Sequence, residues 1–377
     1  MKQVNKRIKI LFTIPNFITA GSGREMLNII ERLDKTLFES YICVQQAGGA
    51  LFDEAKRKGY EVLVQDFEVK NATGMIATLR GARKLATTFK NYKFDIWQSF
   101  NWSSDYSEAL VAKLSGAKHV YVKKNMNWDR AAWKAKSFLA NQIVARNTTM
   151  FRAFFAPPYL RTKTHYIPGA VDIGVFKQNK NTEIRAEYNI PEDAYLVCCV
   201  AQLVRVKDQP TLIKAIADTD AYLILAGAAR DDEYVAELYL LIESLQLKNR
   251  VIMTGAVNNV NCLLNASDAF VLPTTNTGGH EEGSPVALIE AMAAKLPCIA
   301  SNVAGNRDLI QTNETGLLFA PNNIAELTAC IEKYQNEPDY AKQMAANAYE
   351  LVLNEHTLDI EAAAFEKLYK KMMRVKQ

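Results

Sequence analysis

The chain has 377 residues, of which 49% are hydrophobic and 23% charged, a composition typical of a soluble globular protein with two domains of ordinary size. No apolar run reaches the ~18 residues needed to cross a bilayer, and the run before Pro15 predicts a first strand rather than a signal peptide. The six cysteines and four histidines share no metal-ligand spacing, so the sequence predicts a reducing, cytoplasmic location and no metal centre.

The net charge of +4 is distributed unevenly along the chain. Residues 1–170 contain 27 Lys and Arg against 13 Asp and Glu, a balance of +14, which leaves −10 for residues 171–377. A basic surface of this kind is either simply solvated or meets an anionic substrate or lipid headgroups. No nucleic-acid-binding motif accompanies the charge, so nucleic acid is not an expected partner.

Short apolar runs alternate with segments of helical length. The predicted strands are 8–14, 40–46, 61–65, 94–100, 119–125, 195–203, 221–228, 250–255, 269–274 and 297–301. Helices are predicted between them at 23–34, 76–90, 105–115, 208–217, 232–245 and 284–294. Nearly all the strands are continuously apolar, which indicates parallel strands buried on both faces. The sequence therefore predicts an α/β fold of two Rossmann-like, doubly wound domains that meet at residues 166–183 and face each other across a cleft.

A glycine-containing segment, ITAGSGREML, follows the first predicted strand and opens a helix. Its backbone N–H groups and the positive end of the helix dipole would suit a phosphate, and a plain tight turn is the alternative for Gly21 and Gly23 on their own. Met26 stands where a dinucleotide loop needs a third glycine, and no acidic residue follows the second strand. Nicotinamide binding is therefore disfavoured.

Three glutamates surround a predicted helix start at Gly283-Ser284-Pro285. Glu282 and Glu290 are eight residues apart, which in a helix would bring both to one side, about two turns apart. A carboxylate can accept both hydroxyls of a vicinal diol. Glu290 has apolar neighbours on nearly every side, which favours a buried glutamate with a binding partner over an ordinary exposed helix residue.

The segment EEGSPVALIEAMAAKLPCIASNVAGNRDLIQTNETGLLF resembles the E-x7-E region of the retaining, nucleotide-sugar-dependent glycosyltransferase family 4, which has the GT-B fold. SGREMLNIIERL, VAQLVRVKDQPTLIKAI and ASDAFVLPT resemble further segments of that family in the same order. IPGAVDIGVF resembles its interdomain segment, where Gly169-Ala170 replaces the usual Asn-Gly and should alter only the local turn. The resemblance covers residues 8–335 in outline.

This resemblance implies a role for each matching residue. Glu290 would hold the ribose diol, Glu282 would hold hydroxyls of the transferred sugar, and Lys207 would neutralise the leaving diphosphate, so that Glu282 and Lys207 are the catalytic pair. Gly23 would approach the diphosphate from the other domain. Backbone N–H groups of the loop before the helix would bind the diphosphate or the sugar. This loop consists of Gly283, Ser284, Pro285 and Val286. No side-chain nucleophile is required in this family.

Two departures from the family pattern concern the donor site. Gln202 replaces the arginine of the family's G-R-L segment, and Arg205 either compensates or is a solvent-facing loop residue. Where the family often has a histidine after the fifth strand, this chain reads KKNMNW. Lys124, Asn125 or Asn127 would face the donor sugar instead.

The family also implies the domain roles. Residues 1–170 would form the acceptor-side domain, with a final helix at about 357–377 returning to it, and residues 171–356 would bind the nucleotide-sugar donor. The segment 128–155 mixes Trp128 and Trp133 with basic residues, which is compatible with an interfacial helix beside anionic lipid. A core-packing helix followed by the buried strand QIVAR is the alternative. The basic residues proposed for a membrane-facing surface are Lys123, Lys124, Arg130, Lys134 and Lys136.

The sequence is thus interpreted as a metal-independent retaining glycosyltransferase that moves a sugar from a nucleotide donor to a hydroxyl acceptor, in glycan, glycolipid or cell-surface polysaccharide synthesis. Alternatives are a nucleotide-sugar epimerase or hydrolase on the same fold, or a catalytically silent glycan- or protein-binding partner subunit. The acidic motif Asp218-Thr219-Asp220 matches a divalent-cation motif of a different glycosyltransferase fold. It precedes a predicted strand rather than following one, so it is not expected to bind metal.

Overall fold

The computed structural model describes residues 6–18, 20–176, 183–257, 259–276 and 281–375. The chain divides into two compact units, Met1–Pro168 with Leu358–Gln377, and Gly169–Thr357. The chain therefore passes from the first unit to the second after Pro168 and returns after Thr357.

The first unit is built on a parallel sheet. Its strands are β1 Ile8–Ile14, β2 Phe38–Val44, β3 Glu61–Val64, β4 Ile96–Ser99, β5 Lys118–Lys123, β6 Gln142–Ala145 and β7 Thr164–Tyr166. Within the described residues they form one sheet in the order β3-β2-β1-β4-β5-β6-β7. Its helices are α1 Ala20–Arg32, α2 Ala50–Arg57, α3 Met75–Lys90, α4 Ser107–Ser115, α5 Ala131–Leu139 and α6 Pro158–Arg161, with a π-helical turn at Met150–Phe154.

The second unit repeats this architecture with a smaller sheet. Its strands are β8 Leu196–Val200, β9 Tyr222–Ala226, β10 Val251–Gly255, β11 Ala269–Leu272, β12 Cys298–Ser301 and β13 Leu317–Phe319. They are parallel and ordered β10-β9-β8-β11-β12-β13 in the part of the unit that is described. The helices are α7 Glu183–Glu187, α8 Gln209–Ala217, α9 Asp232–Ser244, α10 Val260–Ala266, α11 Val286–Ala293, α12 Ala304–Arg307, α13 Ile324–Asn336 and α14 Pro338–Glu355, with a 3₁₀ turn at Arg205–Lys207.

The last helix, α15 Leu358–Met373, belongs to the first unit and packs against α1. On β1, Ile10, Phe12 and Ile14 face a core that includes residues of α1, α2 and α15. Leu11 faces the opposite core, which is shared with α3 and α4. Both faces of the strand are therefore buried, which explains why its sequence is continuously apolar.

These sheets confirm the predicted fold class of two doubly wound α/β units. The predicted strand at 8–14 matches β1, and the other predicted strands agree with observed ones to within a few residues. Strand β6 matches the segment QIVAR, which was predicted only in the alternative interpretation of residues 128–155. Two short edge strands, β7 and β13, were not predicted. Among the helices of the described chain, none combines the length and the apolarity needed to cross a bilayer.

Candidate functional site

An ion pair between Lys207 and Glu282 lies at the carboxyl ends of the second unit's strands. Lys207 ends the 3₁₀ turn that follows β8, and Glu282 comes after β11. Lys207 Nζ donates to Glu282 Oε1, which also accepts a hydrogen bond from Thr274 Oγ1 at 2.7 Å. Burial opposes ionisation of Glu282, but the Lys207 ammonium and these hydrogen bonds outweigh it and lower the pKa of Glu282. The site therefore contains a buried, ionised carboxylate.

Neighbouring strand ends hold this carboxylate in place. Ser301, the last residue of β12, donates from Oγ to the Thr274 carbonyl at 2.6 Å, and Thr274 in turn donates to Glu282. The amide of Gly305 donates to the Glu282 carbonyl at 3.2 Å. A Cβ at Gly305 would lie 2.7 Å from that carbonyl oxygen, so only glycine allows this approach.

Glu290 is the one half-buried carboxylate of α11, a helix whose other residues are apolar. Its neighbours along the helix, Leu288, Ile289, Ala291 and Met292, are buried. No described residue donates a hydrogen bond to the Glu290 carboxylate, and loss of water around it raises the pKa of Glu290 to about 7. A largely desolvated carboxylate without a described donor is costly, which is typical of a group whose partner is a ligand.

The loop before α11 differs from the prediction. The helix begins at Val286 rather than at residue 284, so the helical geometry used to relate Glu282 to Glu290 does not apply. Pro285 has no N–H to offer, and the Val286 amide donates to the Ser284 carbonyl at 3.0 Å. Pro285 therefore offers no backbone donor to a phosphate, and the Val286 amide could offer one only if its bond to Ser284 broke. The roles of Gly283 and Ser284 stay predictions.

Gly169 fixes the position of Ser284 within the same unit. A Cβ at Gly169 would lie 2.3 Å from Ser284 Oγ. The Gly169 carbonyl contacts His356 Nδ1 at 2.8 Å. The replacement of the family's Asn-Gly by Gly-Ala at this point therefore affects more than a local turn, because the absence of a side chain at residue 169 makes room for Ser284.

Arg205 and Gln202 are exposed, and Arg205 is already paired. Its guanidinium donates to both carboxylate oxygens of Glu237 on α9, at 2.7 and 2.8 Å. The Gln202 carbonyl accepts a hydrogen bond from Gln209 at 3.0 Å. The contacts of Arg205 are those of a surface residue. They agree with the second of its two predicted roles, a solvent-facing loop residue, rather than with compensation for Gln202.

In the first unit, Gly23 lies inside the first turn of α1 rather than before it. A Cβ there would meet Phe17 at 2.8 Å and Leu51 at 3.0 Å, so the glycine allows close packing of these side chains.

Asn125 accepts hydrogen bonds from Lys123 Nζ through its backbone carbonyl and its Oδ1, at 2.5 and 2.6 Å, and donates to the Trp102 carbonyl.

Of the three residues proposed to face the donor sugar, two therefore have partners in their own unit. Lys124 forms an ion pair with Glu25, and Asn125 holds Lys123 and Trp102. Asn127 has no hydrogen-bond partner among the described residues, so its side chain is the one of the three available to a ligand.

The proposed membrane-facing residues are mostly buried, and this prediction was wrong for them. Lys123, Lys136 and Trp133 are at most 3% exposed. Burial, with help from the nearby Lys136 ammonium, lowers the pKa of Lys123 to about 6. Lys124 is only 11% exposed in its ion pair. Helix α5 packs these side chains over the strand ends, so of the proposed basic residues only Arg130 and Lys134 are exposed.

The acidic motif Asp218-Thr219-Asp220 lies before a strand, as the sequence predicted. Asp218 follows α8 and Asp220 precedes β9, so both are at the amino end of that strand, and Asp220 accepts a hydrogen bond from Gln335 at 2.8 Å. The described residues contain no cluster of three or more His, Cys, Asp or Glu suited to a metal ion.

Sequence reasoning missed Thr274, Ser301 and Gly305, which position Glu282. Only their position in the sequence could have indicated a role, because Thr274 and Ser301 stand at the carboxyl ends of predicted strands. In doubly wound sheets that edge is where ligands bind.

Comparison with known proteins agrees with this fold. The structure resembles that of the Anabaena protein HepE crystallised in complex with UDP and glucose, with a TM-score of 0.83 and 19% identity over 97% of this chain and 100% of that one. The chain therefore has the GT-B fold of glycosyltransferases.

A family match covers most of the second unit. Over residues 180–351 the chain matches the family of glycosyl transferases group 1, which agrees with the resemblance found in that part of the sequence. It is 25% identical over 208 residues to the N-acetyl-alpha-D-glucosaminyl L-malate synthase of Bacillus anthracis, covering 54% of this chain and 52% of that protein.

A second relative is the GDP-mannose-dependent alpha-(1-6)-phosphatidylinositol monomannoside mannosyltransferase of Mycobacterium tuberculosis (strain CDC 1551 / Oshkosh), which is 28% identical over 225 residues, or 56% of each chain. The chain thus matches about half the length of these curated relatives.

Proposed function

We propose that the chain is a retaining glycosyltransferase that transfers a sugar from a nucleotide-sugar donor to a hydroxyl acceptor without a metal ion. The observation that carries this proposal is the half-buried Glu290 carboxylate on α11, which has no described hydrogen-bond donor. We propose Gly169–Thr357 as the donor-binding unit and Met1–Pro168 with Leu358–Gln377 as the acceptor-side unit.

The ribose of a nucleotide would supply what Glu290 lacks. Its two vicinal hydroxyls can donate to the two carboxylate oxygens, and the weakly polar surroundings strengthen such bonds. A ligand with one hydroxyl would satisfy only one of the oxygens. The complex of HepE with UDP and glucose, and the GDP-mannose dependence in the name of the mycobacterial relative, support a nucleotide sugar as the donor class.

Lys207 and Glu282 would act on the reacting part of the donor. The Lys207 side chain is 22% exposed, so its ammonium can bind an oxygen of the diphosphate while it remains beside Glu282. Negative charge grows on the leaving diphosphate as the glycosidic bond breaks, so this contact is stronger in the transition state. Glu282, held by Thr274 and the Gly305 amide, would accept hydrogen bonds from hydroxyls of the transferred sugar.

The acceptor would carry a hydroxyl on a lipid or on a growing glycan, and the protein would work in the cytoplasm beside a membrane. The lipid named for the mycobacterial relative supports this class of acceptor. Because this active site needs no side-chain nucleophile, the proposed chemistry is a front-face reaction in which the leaving phosphate takes the acceptor proton.

Calorimetry with UDP, GDP, ADP and CMP tests the proposal through Glu290. Glu290→Ala should weaken binding of the preferred nucleoside diphosphate by about 1.5–3 kcal/mol, the range for lost hydrogen bonds to a charged group. Glu332→Ala, at an exposed position on α13, is the matched control and should bind normally. Unchanged affinity in folded Glu290→Ala protein would remove the ribose assignment. Sugar transfer with the preferred donor then tests the reaction, and the anomeric configuration of the product tests retention.

A further inference from the structure

The two helical layers of the first unit carry very different charge. The layer formed by α1, α2 and α15 contains seven Lys and Arg and seven Asp and Glu. The layer formed by α3, α4 and α5, called here the basic layer, contains seven Lys and Arg and one acidic residue, Glu108. Of the two helical layers, only the basic layer therefore adds net positive charge to this unit.

The one carboxylate of the basic layer does not reach the surface. Glu108 is completely buried and accepts hydrogen bonds from Thr13, Trp97 and Ser99. Lys136, the nearest cation, is buried beside it at 4.0 Å. This leaves six exposed cations on the three helices, none of which has an ion-pairing partner in the described part of the chain: Arg80, Arg83, Lys84, Lys90, Lys113 and Lys134. The carboxylates next to these helices lie in loops: Asp66 and Glu68 precede α3, Asp105 precedes α4 and Asp129 precedes α5. Asp66 is paired with Lys70, and Glu68 accepts a hydrogen bond from Asn101.

Helix α3 combines this charge with exposed apolar side chains. Its inner face buries Thr78, Ala82, Ala86 and Phe89. At its amino end Met75 and Ile76 are 77% and 70% exposed, the two most exposed large apolar side chains that the structure describes.

The exposed face of α3 is continuous. Ile76, Arg80, Arg83 and Lys84 follow one another at spacings of four, three and one residues, so they share the outer side of the helix. α3 is the next element after β3 in a parallel sheet and is joined to it by residues 65–74, so the chain enters α3 from the carboxyl edge of the sheet, the edge at which such folds bind ligands.

We propose that the basic layer docks on an anionic phospholipid bilayer, with α3 lying in the interface and Met75 and Ile76 inserted among the lipids. Unpaired cations on one face attract anionic headgroups, and an exposed apolar pair gains by leaving water. A soluble polyanion would match the cations equally well but would leave the apolar pair in water, so the bilayer explains both features.

This surface differs from the one predicted from the sequence. The earlier candidates Lys123, Lys136 and Trp133 are buried and Lys124 is paired with Glu25, whereas six other cations of the basic layer, most of them on α3, are exposed. Docking here would bring a lipid-linked acceptor to the carboxyl edge of the sheet, which deepens the proposed function. The docking itself does not rest on sugar transfer, because it is measured with neither donor nor acceptor.

Sedimentation with lipid vesicles tests the proposal on the full chain. The unmodified protein should bind vesicles of phosphatidylglycerol and phosphatidylcholine at low salt, should not bind pure phosphatidylcholine, and should be released at about 1 M salt, where the screening length is about 3 Å. Arg80→Glu with Lys84→Glu should weaken binding about tenfold or more. Met75→Ser with Ile76→Ser should weaken it without changing its salt dependence.

The matched control reverses two cations on the other layer. Lys56→Glu with Arg57→Glu, on the exposed part of α2, gives the same change in net charge and should alter binding by less than about threefold. Circular dichroism checks that every variant is folded, and failure of the unmodified protein to bind any nucleoside diphosphate would count against the proposed function rather than against docking. Equal losses from both charge reversals, or equal binding of the unmodified protein to both lipid types, would overturn the assignment of this surface.

Discussion

Replacing Glu290 by Gln should stabilise the ligand-free protein at alkaline pH. Burial raises the pKa of Glu290 from its ordinary 4.5 to about 7 in the folded protein. Between these values the folded state keeps a proton that the unfolded state has lost, so stability contributed by this group is complete below pH 4.5 and is lost as the pH rises through 7. A difference of about 2.5 in pKa corresponds to ~3 kcal/mol. Glutamine is neutral throughout and avoids this cost.

Denaturant unfolding at about pH 5, 6.5 and 8 measures the effect, compared between the unmodified protein, Glu290→Gln and the exposed control Glu332→Gln. All four tryptophans, Trp97, Trp102, Trp128 and Trp133, lie in the first unit, so their fluorescence follows that unit alone. Circular dichroism follows both units, and the transition seen only by circular dichroism reports Gly169–Thr357.

Glu290→Gln should gain little stability at pH 5 and up to ~3 kcal/mol at pH 8, while its nucleotide affinity falls. Glu361, whose pKa burial also raises to about 7, titrates equally in all three proteins and cancels in the comparison. The reasoning fails if the gain is the same at pH 5 and pH 8, because Glu290 would then be solvated or paired in the free protein. The control should change by less than about 0.5 kcal/mol at each pH.

Three further outcomes follow from the same site. Lys207→Met should lower the transfer rate by about 100-fold or more and should raise the pKa of Glu282, which NMR titration of that carboxyl measures. Arg205→Ala should leave the transfer rate near normal. Equal losses of rate in the two variants would contradict the surface placement of Arg205. Gly169→Ala should lower the free energy of unfolding by about 1–3 kcal/mol, because its Cβ would lie 2.3 Å from Ser284 Oγ, and a variant as stable as the original would show that the loop yields freely. Excess EDTA should leave initial transfer rates about the same, and activity lost with EDTA but restored by Mn²⁺ would show that the reaction needs a metal.

The sequence by itself determined the layered architecture. Continuous apolar runs such as 8–14 and 195–203 predict parallel strands buried on both faces, because a strand with one wet face would alternate. Their alternation with helical segments predicts two doubly wound units. The edge strands β7 and β13 were missed because three residues give too little periodicity to detect. The resemblance of residues 281–319 to a glycosyltransferase family placed Glu282 and Glu290 in a site, and the apolar neighbours of Glu290 already indicated that it would be buried.

The tertiary structure decided which charges face each other and which face water. Lys207 and Glu282 are 75 residues apart, and only the meeting of the ends of β8 and β11 pairs them. The sequence predicts Lys123 and Lys136 as surface cations, but tertiary packing buries both, while the four basic residues of α3 stay exposed. Local sequence records the period of an element and its charge. Burial and ion pairing depend on what packs against that element from distant parts of the chain, and that information exists only once the chain has folded.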